Sequence, residues 1–260
     1  MEHRARKRFG QNFLTDPNTV RRIIDAVRPG PDDTVVEIGP GLGALTEPLL
    51  AVLPRLHVVE IDRDLIARLR QRHEPDRLVI HEGDALAFDF GVLGQQLKVV
   101  GNLPYNISTP LLFHLAGFAA QVREMTFMLQ KEVVMRMVAE PGGGDYGRLS
   151  VMLQYRFDML RLFDVPPGAF RPAPKVTSSI VRMVPKPDAS LMAVDADLLG
   201  EIVTAAFGQR RKTLRNTLKA IVGAAALEAL GIDPGLRAER LTLADFVAIS
   251  NHVAALRARA

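Results

Sequence analysis

The feature that most constrains this chain is an alternation in its first half: short apolar runs, each leading to a glycine or an acid and then to a helix-like stretch. Residues 34 to 38 (Thr-Val-Val-Glu-Ile) run into Gly39-Pro40-Gly41-Leu42-Gly43, and a helix is expected from about Ala44 to Leu53. Leu56 to Ile61 forms a second strand containing Glu60, with Asp62 capping a helix whose apolar positions are Leu65, Ile66 and Leu69. Leu78 to His81 is a third and leads to Gly83-Asp84, while Leu97, Val99 and Val100 mark a fourth that leads to Gly101-Asn102-Leu103-Pro104-Tyr105. Strands separated by helices pair in parallel through right-handed crossovers, so the pattern predicts an α/β fold, a mostly parallel sheet wrapped on both faces. Ligands of such sheets sit at the carboxyl ends of the strands. Gly39, Glu60, Asp84 and Asn102 all fall at or just beyond those ends, and one crevice can receive all four.

Around this alternation the chain reads as two parts. A helix starts at Pro17 with Asp16 as its N-cap and runs to about Val27; later come a strand near Met125 to Leu129, a helix near Lys131 to Val138 and another near Arg148 to Arg156. Two further strands, 159 to 165 and 178 to 184, are joined by the proline-rich stretch Pro166 to Lys175. Pro185 to Ser190 reads as a linker, and the remainder is helical, with a Thr242-Leu243-Ala244-Asp245 capping box before the last helix. The expected division is therefore residues 1–187 and a small helical domain at 188–260. Apolar content of 48% is ordinary for a globular protein. No apolar run reaches the length of a membrane span and no signal-peptide core is present, so a cytoplasmic location and no membrane partner are expected. The absence of cysteine excludes disulfide and thiolate chemistry, and the six histidines lack metal-ligand spacing, so no metal is expected.

Charge is unevenly spread. The net charge is +4, yet residues 1 to 8 (Arg4, Arg6, Lys7, Arg8 against Glu2) carry +3 and residues 208 to 219 (Arg210, Arg211, Lys212, Arg215, Lys219) carry +5, which leaves −4 on the rest. Two basic segments on a mildly acidic body suggest local polyanion-binding surfaces, with nucleic acid as the partner. Lys212, Arg215 and Lys219 lie at spacings of three and four, and on a helix they would share a face.

The glycine turn after the first strand suits a nucleotide-like cofactor, but the dinucleotide fingerprint fails because Gly43 comes one place early and Ala44 stands where the third glycine belongs. Glu60 can accept from ribose hydroxyls and Asp84 from an adenine amino group. Asn102 to Tyr105 supplies what an exocyclic base amine requires to act as a nucleophile. The Asn102 side-chain oxygen and the Leu103 carbonyl can accept its two hydrogens, Pro104 restrains Leu103 to an extended conformation, and Tyr105 can stack on the base. The combination fits S-adenosylmethionine beside a target base.

The ordered set Gln11-Asn12-Phe13-Leu14, Glu37-Ile38-Gly39-Pro40-Gly41, Glu60-Ile61-Asp62, Gly83-Asp84 and Gly101 to Ser108 resembles the ribosomal RNA adenine dimethyltransferases. Within that family, Phe127 to Glu132, Tyr146 to Ser150, Pro166 to Lys175 and Gln209 to Asn216 are similar to the bacterial small-subunit branch, and the resemblance covers nearly the whole chain. It implies a class I methyltransferase sheet with one antiparallel strand. It also implies dimethylation of two adjacent adenosines near the 3′ end of small-subunit ribosomal RNA, by a monomer acting on the immature subunit. By position, Asn12, Leu14, Gly39, Gly41, Glu60, Asp84 and Asn102 would contact the cofactor; Asn102, Leu103, Pro104 and Tyr105 would form the base grip, and Phe170 would be a second stacking partner. Three alternatives stand beside this one: a binding-only assembly factor, a nicotinamide-dependent dehydrogenase, and a large-subunit RNA methyltransferase of the resistance type.

Overall fold

Asp16 begins the first helix as its sequence suggests: its carboxylate accepts from the Thr19 amide at 2.8 Å, and Pro17, which has no amide hydrogen to leave unsatisfied, opens α1 (Pro17–Val27). The computed structural model describes residues 11–259, so the basic positions Arg4, Arg6, Lys7 and Arg8 lie outside the described residues. A two-residue strand, β1 (Phe13–Leu14), precedes α1. The alternation expected next is present as β2 (Val35–Ile38), α2 (Thr46–Leu50), β3 (Leu56–Glu60), α3 (Arg63–Arg72), β4 (Leu78–Glu82), β5 (Leu97–Asn102) and α4 (Ser108–Ala116). Then follow β6 (Val122–Gln130), α5 (Lys131–Met137), α6 (Arg148–Arg156), β7 (Phe157–Val165), β8 (Phe170–Arg171) and β9 (Ser178–Pro185). Helices α7 (Ala196–Phe207), α8 (Leu214–Thr217), α9 (Ala224–Ala229) and α10 (Leu243–Arg257) complete the chain. Thr242 and Asp245 form the expected reciprocal cap on α10, with the Thr242 amide donating to Asp245 at 2.8 Å.

Seven strands form one sheet in the order β4-β3-β2-β5-β6-β9-β7. β4, β3, β2, β5 and β6 pair in parallel, and β9 runs antiparallel to β6. The chain order reverses between β2 and β5, which makes the gap beyond their carboxyl ends the switch point at which open sheets bind ligands. The two strands approach closely because Gly101 has no side chain: a Cβ there would lie 2.6 Å from the Ile38 carbonyl oxygen. At the other end of β5, the buried Lys98 ammonium sits 2.8 Å from Asp33 and 3.4 Å from Glu124, so that side of the sheet is closed by ion pairs.

The chain divides into two compact units: residues up to Val134 together with Asp158–Pro185, and Met135–Phe157 together with Lys186 onward. This differs from a single boundary at 187. Tyr146, Val151 and Tyr155 are apolar enough to need cover, and they are buried with Leu198, Leu199, Ile202 and Phe246 in the core of the helical unit. The first unit buries Leu49, Leu56, Val58, Val100, Met128 and Ile180 in a core of its own. Among the described residues no helix is long and apolar enough to cross a membrane.

Candidate cofactor and base-binding site

A cavity of about 290 Å³ opens at the switch point of the first unit, lined from Gln11 to Leu14, from Glu37 to Leu42, and by Glu60, Ile61, Gly83, Asp84 and Asn102 to Ile107. The parallel register brings these stations together: Gly39 donates to the Val59 carbonyl at 2.9 Å and Gly83 to the Glu60 carbonyl at 2.9 Å, so each turn hangs from its neighbouring strand. Gly41 has φ +59°, a region where a side chain is strained, and a Cβ there would stand 3.1 Å from the Phe13 ring. The N-terminal segment thus packs on the glycine turn. Helix α2 begins at Thr46, two residues later than expected, because residues 41 to 45 are taken up in the turn.

Charge in the cavity is acidic and partly desolvated. Glu60 is buried; its carboxylate accepts from the Ile61 and Asp62 amides, both at 2.9 Å, yet burial prevails and holds it above the usual carboxylate range. Glu37, to which the motifs assign no role, is 2% exposed and accepts from the Thr46 hydroxyl at 2.6 Å. Burial, reinforced by the nearby Glu60 charge, raises it to about 7. A signal for it is present in the sequence: a carboxylate inside the run Val35 to Ile38, where a buried acid requires a reason. Asp84 is exposed at the rim and accepts from the Leu86 amide at 2.9 Å. Two buried carboxyls beside a polar rim fit a ligand with cationic centres, a ribose and an adenine. Among the described residues no group of three or more His, Cys, Asp or Glu could hold a metal.

The segment Asn102 to Tyr105, the candidate base grip, leaves β5 at this cavity. The Asn102 amide nitrogen donates to the Asn12 carbonyl at 2.9 Å, which turns the carbonyl oxygen Oδ1 to the opposite side of the amide. The Leu103 amide donates to Met128 at 3.2 Å and its side chain is buried, so Leu103 is fixed by the sheet. Gln11 is tied to Asp62 at 3.0 Å. Asn12, Leu14, Gly39, Gly41, Glu60, Asp84, Asn102, Leu103, Pro104 and Tyr105 therefore all line one cavity. Phe170 does not. It is 2% exposed, lies opposite Leu14 where β8 pairs with β1, and belongs to the apolar core with Ile180, so the expected second stacking ring is a core side chain here.

The second basic segment lies in the helical unit, with Arg210, Arg211, Lys212, Arg215 and Lys219 all exposed. It is not the continuous helix expected from its spacing. Lys212 donates to Gln209 in a turn, α8 spans only four residues, and Lys219 follows in a further turn. Burial of Leu214 and Leu218, with the Leu214 amide bonded to Leu236 and the Arg215 amide to Pro234, bends the segment onto the unit's core. Arg210 donates to the Gly144 carbonyl at 2.9 Å.

The model of the ribosomal RNA adenine dimethylase family matches residues 2–255. A ribosomal RNA small subunit methyltransferase A from Aromatoleum aromaticum is 74% identical, covering 100% of this chain and 98% of its own; one from Thiobacillus denitrificans is 62% identical, covering 97% and 99%. Among solved structures, a dimethyladenosine transferase from Plasmodium falciparum is similar with TM-score 0.80 at 27% identity, covering 91% of this chain and 95% of that one. The 23S rRNA methyltransferase ErmE is similar with TM-score 0.72 at 25% identity, covering 94% and 100%. A mostly parallel sheet of the class I methyltransferase type and a cavity at its switch point agree with that match, and the chain belongs to the ribosomal RNA adenine dimethylase family, which makes it an S-adenosylmethionine-dependent RNA adenine methyltransferase.

Proposed function

We propose that this chain dimethylates the exocyclic amines of two adjacent adenosines in a hairpin loop near the 3′ end of small-subunit ribosomal RNA, acting as a cytoplasmic monomer on the immature subunit. The observation that carries this reading is one cavity lined by both the acidic cofactor stations and the Asn102-Leu103-Pro104-Tyr105 segment. Relatives 62 to 74% identical over nearly their whole length carry the small-subunit name, and this favours that substrate over large-subunit RNA.

S-adenosylmethionine supplies, when bound, a methyl group already activated by a sulfonium. The chain's own task is alignment. Glu60 is placed to accept from the ribose hydroxyls and Asp84 from the adenine amine, with Asn12, Leu14, Gly39 and Gly41 forming the walls. Asn102 Oδ1 and the Leu103 carbonyl accept the target amine's hydrogens, and its lone pair is thereby directed at the methyl carbon. Tyr105 stacks on the target ring, repaying part of the cost of unstacking it, which is smaller in a loop than in a duplex. No general base is needed, because the methylated ammonium is acidic enough to give its proton to water. The exposed basic side chains from Arg210 to Lys219 act as a phosphate-binding surface, and the charges of Arg4, Arg6, Lys7 and Arg8 add to the attraction for RNA.

The test is methyl transfer from labelled S-adenosylmethionine to small-subunit particles with unmethylated adenines, read by mass spectrometry of the RNA. Two adjacent dimethyladenosines are expected. Label confined to large-subunit RNA, or a protein that binds a nicotinamide dinucleotide and not S-adenosylmethionine by calorimetry, overturns the reading.

A further inference from the structure

We propose that Ser178 is a positioning residue for methyl transfer: it fixes the tip of the Tyr105 ring so that the ring meets the target base at one angle. The proposal rests on the functional reading above and deepens it at the same site.

Tyr105 is held at both ends. Its backbone carbonyl accepts from the Ser108 hydroxyl at 3.1 Å, and its own hydroxyl lies 2.6 Å from Ser178 Oγ. Ser178 is 0% exposed and opens β9 opposite Gln130, the last residue of β6, so its position is set by the sheet. Along β9 the side chains alternate, and Ser179, facing the other way, hydrogen-bonds to Asp164. Ser178 is therefore outside that ionic cluster and is committed to the ring. Burial raises the Tyr105 hydroxyl above its ordinary range, so it is a neutral partner for the serine at working pH.

A stacking ring fixed only at its Cα swings about two side-chain torsions, and ordering it falls on the binding step or on the barrier. A ring also anchored at its para position is ordered beforehand. The stretch from Pro166 to Ser178 serves both halves of the grip. Its β8 pairs with β1, directly after the Asn12 carbonyl that orients Asn102, and its end delivers Ser178 to Tyr105. The proline-rich connection between β7 and β9 thus acts on the base site from behind, without itself reaching the cavity.

The experiment is a double-mutant cycle, Ser178→Ala, Tyr105→Phe and the pair, measured as kcat and KM for methyl transfer to small-subunit particles. Each single variant is expected to lose about ten-fold in kcat with the KM for S-adenosylmethionine unchanged, because misplacement by a fraction of an ångström is felt at the reacting atoms. The double variant should be no slower than the slower single, since both remove the same hydrogen bond. A Ser178→Ala enzyme within about two-fold of the parent kcat, or a double variant whose loss is the product of the two singles, overturns the proposal. If Ser178→Ala does not fold, Tyr105→Phe alone decides: a ten-fold loss supports the anchor and parental kcat removes it. An unsubstituted protein that transfers no methyl group overturns the functional reading, and this inference with it, before any variant is made.

Discussion

Three side chains that line the cavity, Asn102, Tyr105 and Glu37, carry predictions at the scale of the residue. Asn102 has its amide nitrogen on the Asn12 carbonyl, so its oxygen is a fixed acceptor and not a rotating one. Replacing Asn102 by Ala should lower the single-turnover methylation rate by ~100-fold or more, the scale at which loss of one preorganised polar group is felt; a loss under about three-fold would remove it from the reaction. Tyr105→Ala should be more damaging than Tyr105→Phe in the same assay, because only the former abolishes stacking. Glu37 makes a pH prediction. Its carboxyl titrates near 7 in the folded protein through burial, and near 4.5 when unfolded. Above the unfolded value the native state binds more protons than the unfolded chain, so its contribution declines as pH rises from about 4.5 through 7. Glu37→Gln should relieve that loss. At pH 8 the ligand-free variant should be more stable than the parent by up to ~3 kcal/mol, with the difference vanishing near pH 4, as read by denaturant unfolding at both pH values.

Between strands, close approach of backbone to backbone holds the cavity floor. An added Cβ at Gly101 would meet the Ile38 carbonyl at 2.6 Å and Leu103 at 3.0 Å, and neither belongs to a group that can swing aside cheaply. Gly101→Ala should therefore push β5 from β2 and cost at least 1–3 kcal/mol, roughly the scale of overpacking in a filled core. Gly144→Ala, where nothing lies within 4 Å of the new atom, is the control and should change stability by less than about 0.5 kcal/mol. Equal denaturant midpoints for the two variants would show that the β2–β5 gap tolerates a side chain. The early part of the sheet was legible because Val35, Val58 and Val99 lie in runs buried on both faces, which read as continuous apolar strands. The β1–β8 pair was not, since two-residue strands carry no periodicity to read.

For the molecule as a whole, the uneven charge motivates the proposed RNA-binding surface. Arg211, Lys212 and Arg215 are exposed in the helical unit, and the cofactor cavity belongs entirely to the other. Changing all three to Gln should weaken binding to small-subunit particles and flatten its salt dependence by ~0.7 to 0.9 log units for each phosphate no longer neutralised, with S-adenosylmethionine affinity unchanged. Titrations of particles at several salt concentrations, paired with cofactor calorimetry, measure both; an unaltered slope would take this segment out of the RNA interface. The basic segment is assembled from turns and not from one helix face, because Leu214 and Leu218 are drawn into the core and the basic residues beside them, Lys212, Arg215 and Lys219, follow the bend.

The sequence by itself determined the α/β sheet, the carboxyl-end location of the crevice and most of its lining. These depend on local alternation, on capping and turn chemistry, and on residues a few positions from a strand end. Only the tertiary structure decided which residues stand behind them. Ser178 meets Tyr105 across 73 positions and Asn12 meets Asn102 across 90, and Phe170 is drawn into the core by its pairing with Leu14. Residues 135–157 join the helical unit because their apolar faces are covered there. Such pairings are set by sheet register and by the search for buried area, both properties of the whole chain that no local window of residues contains.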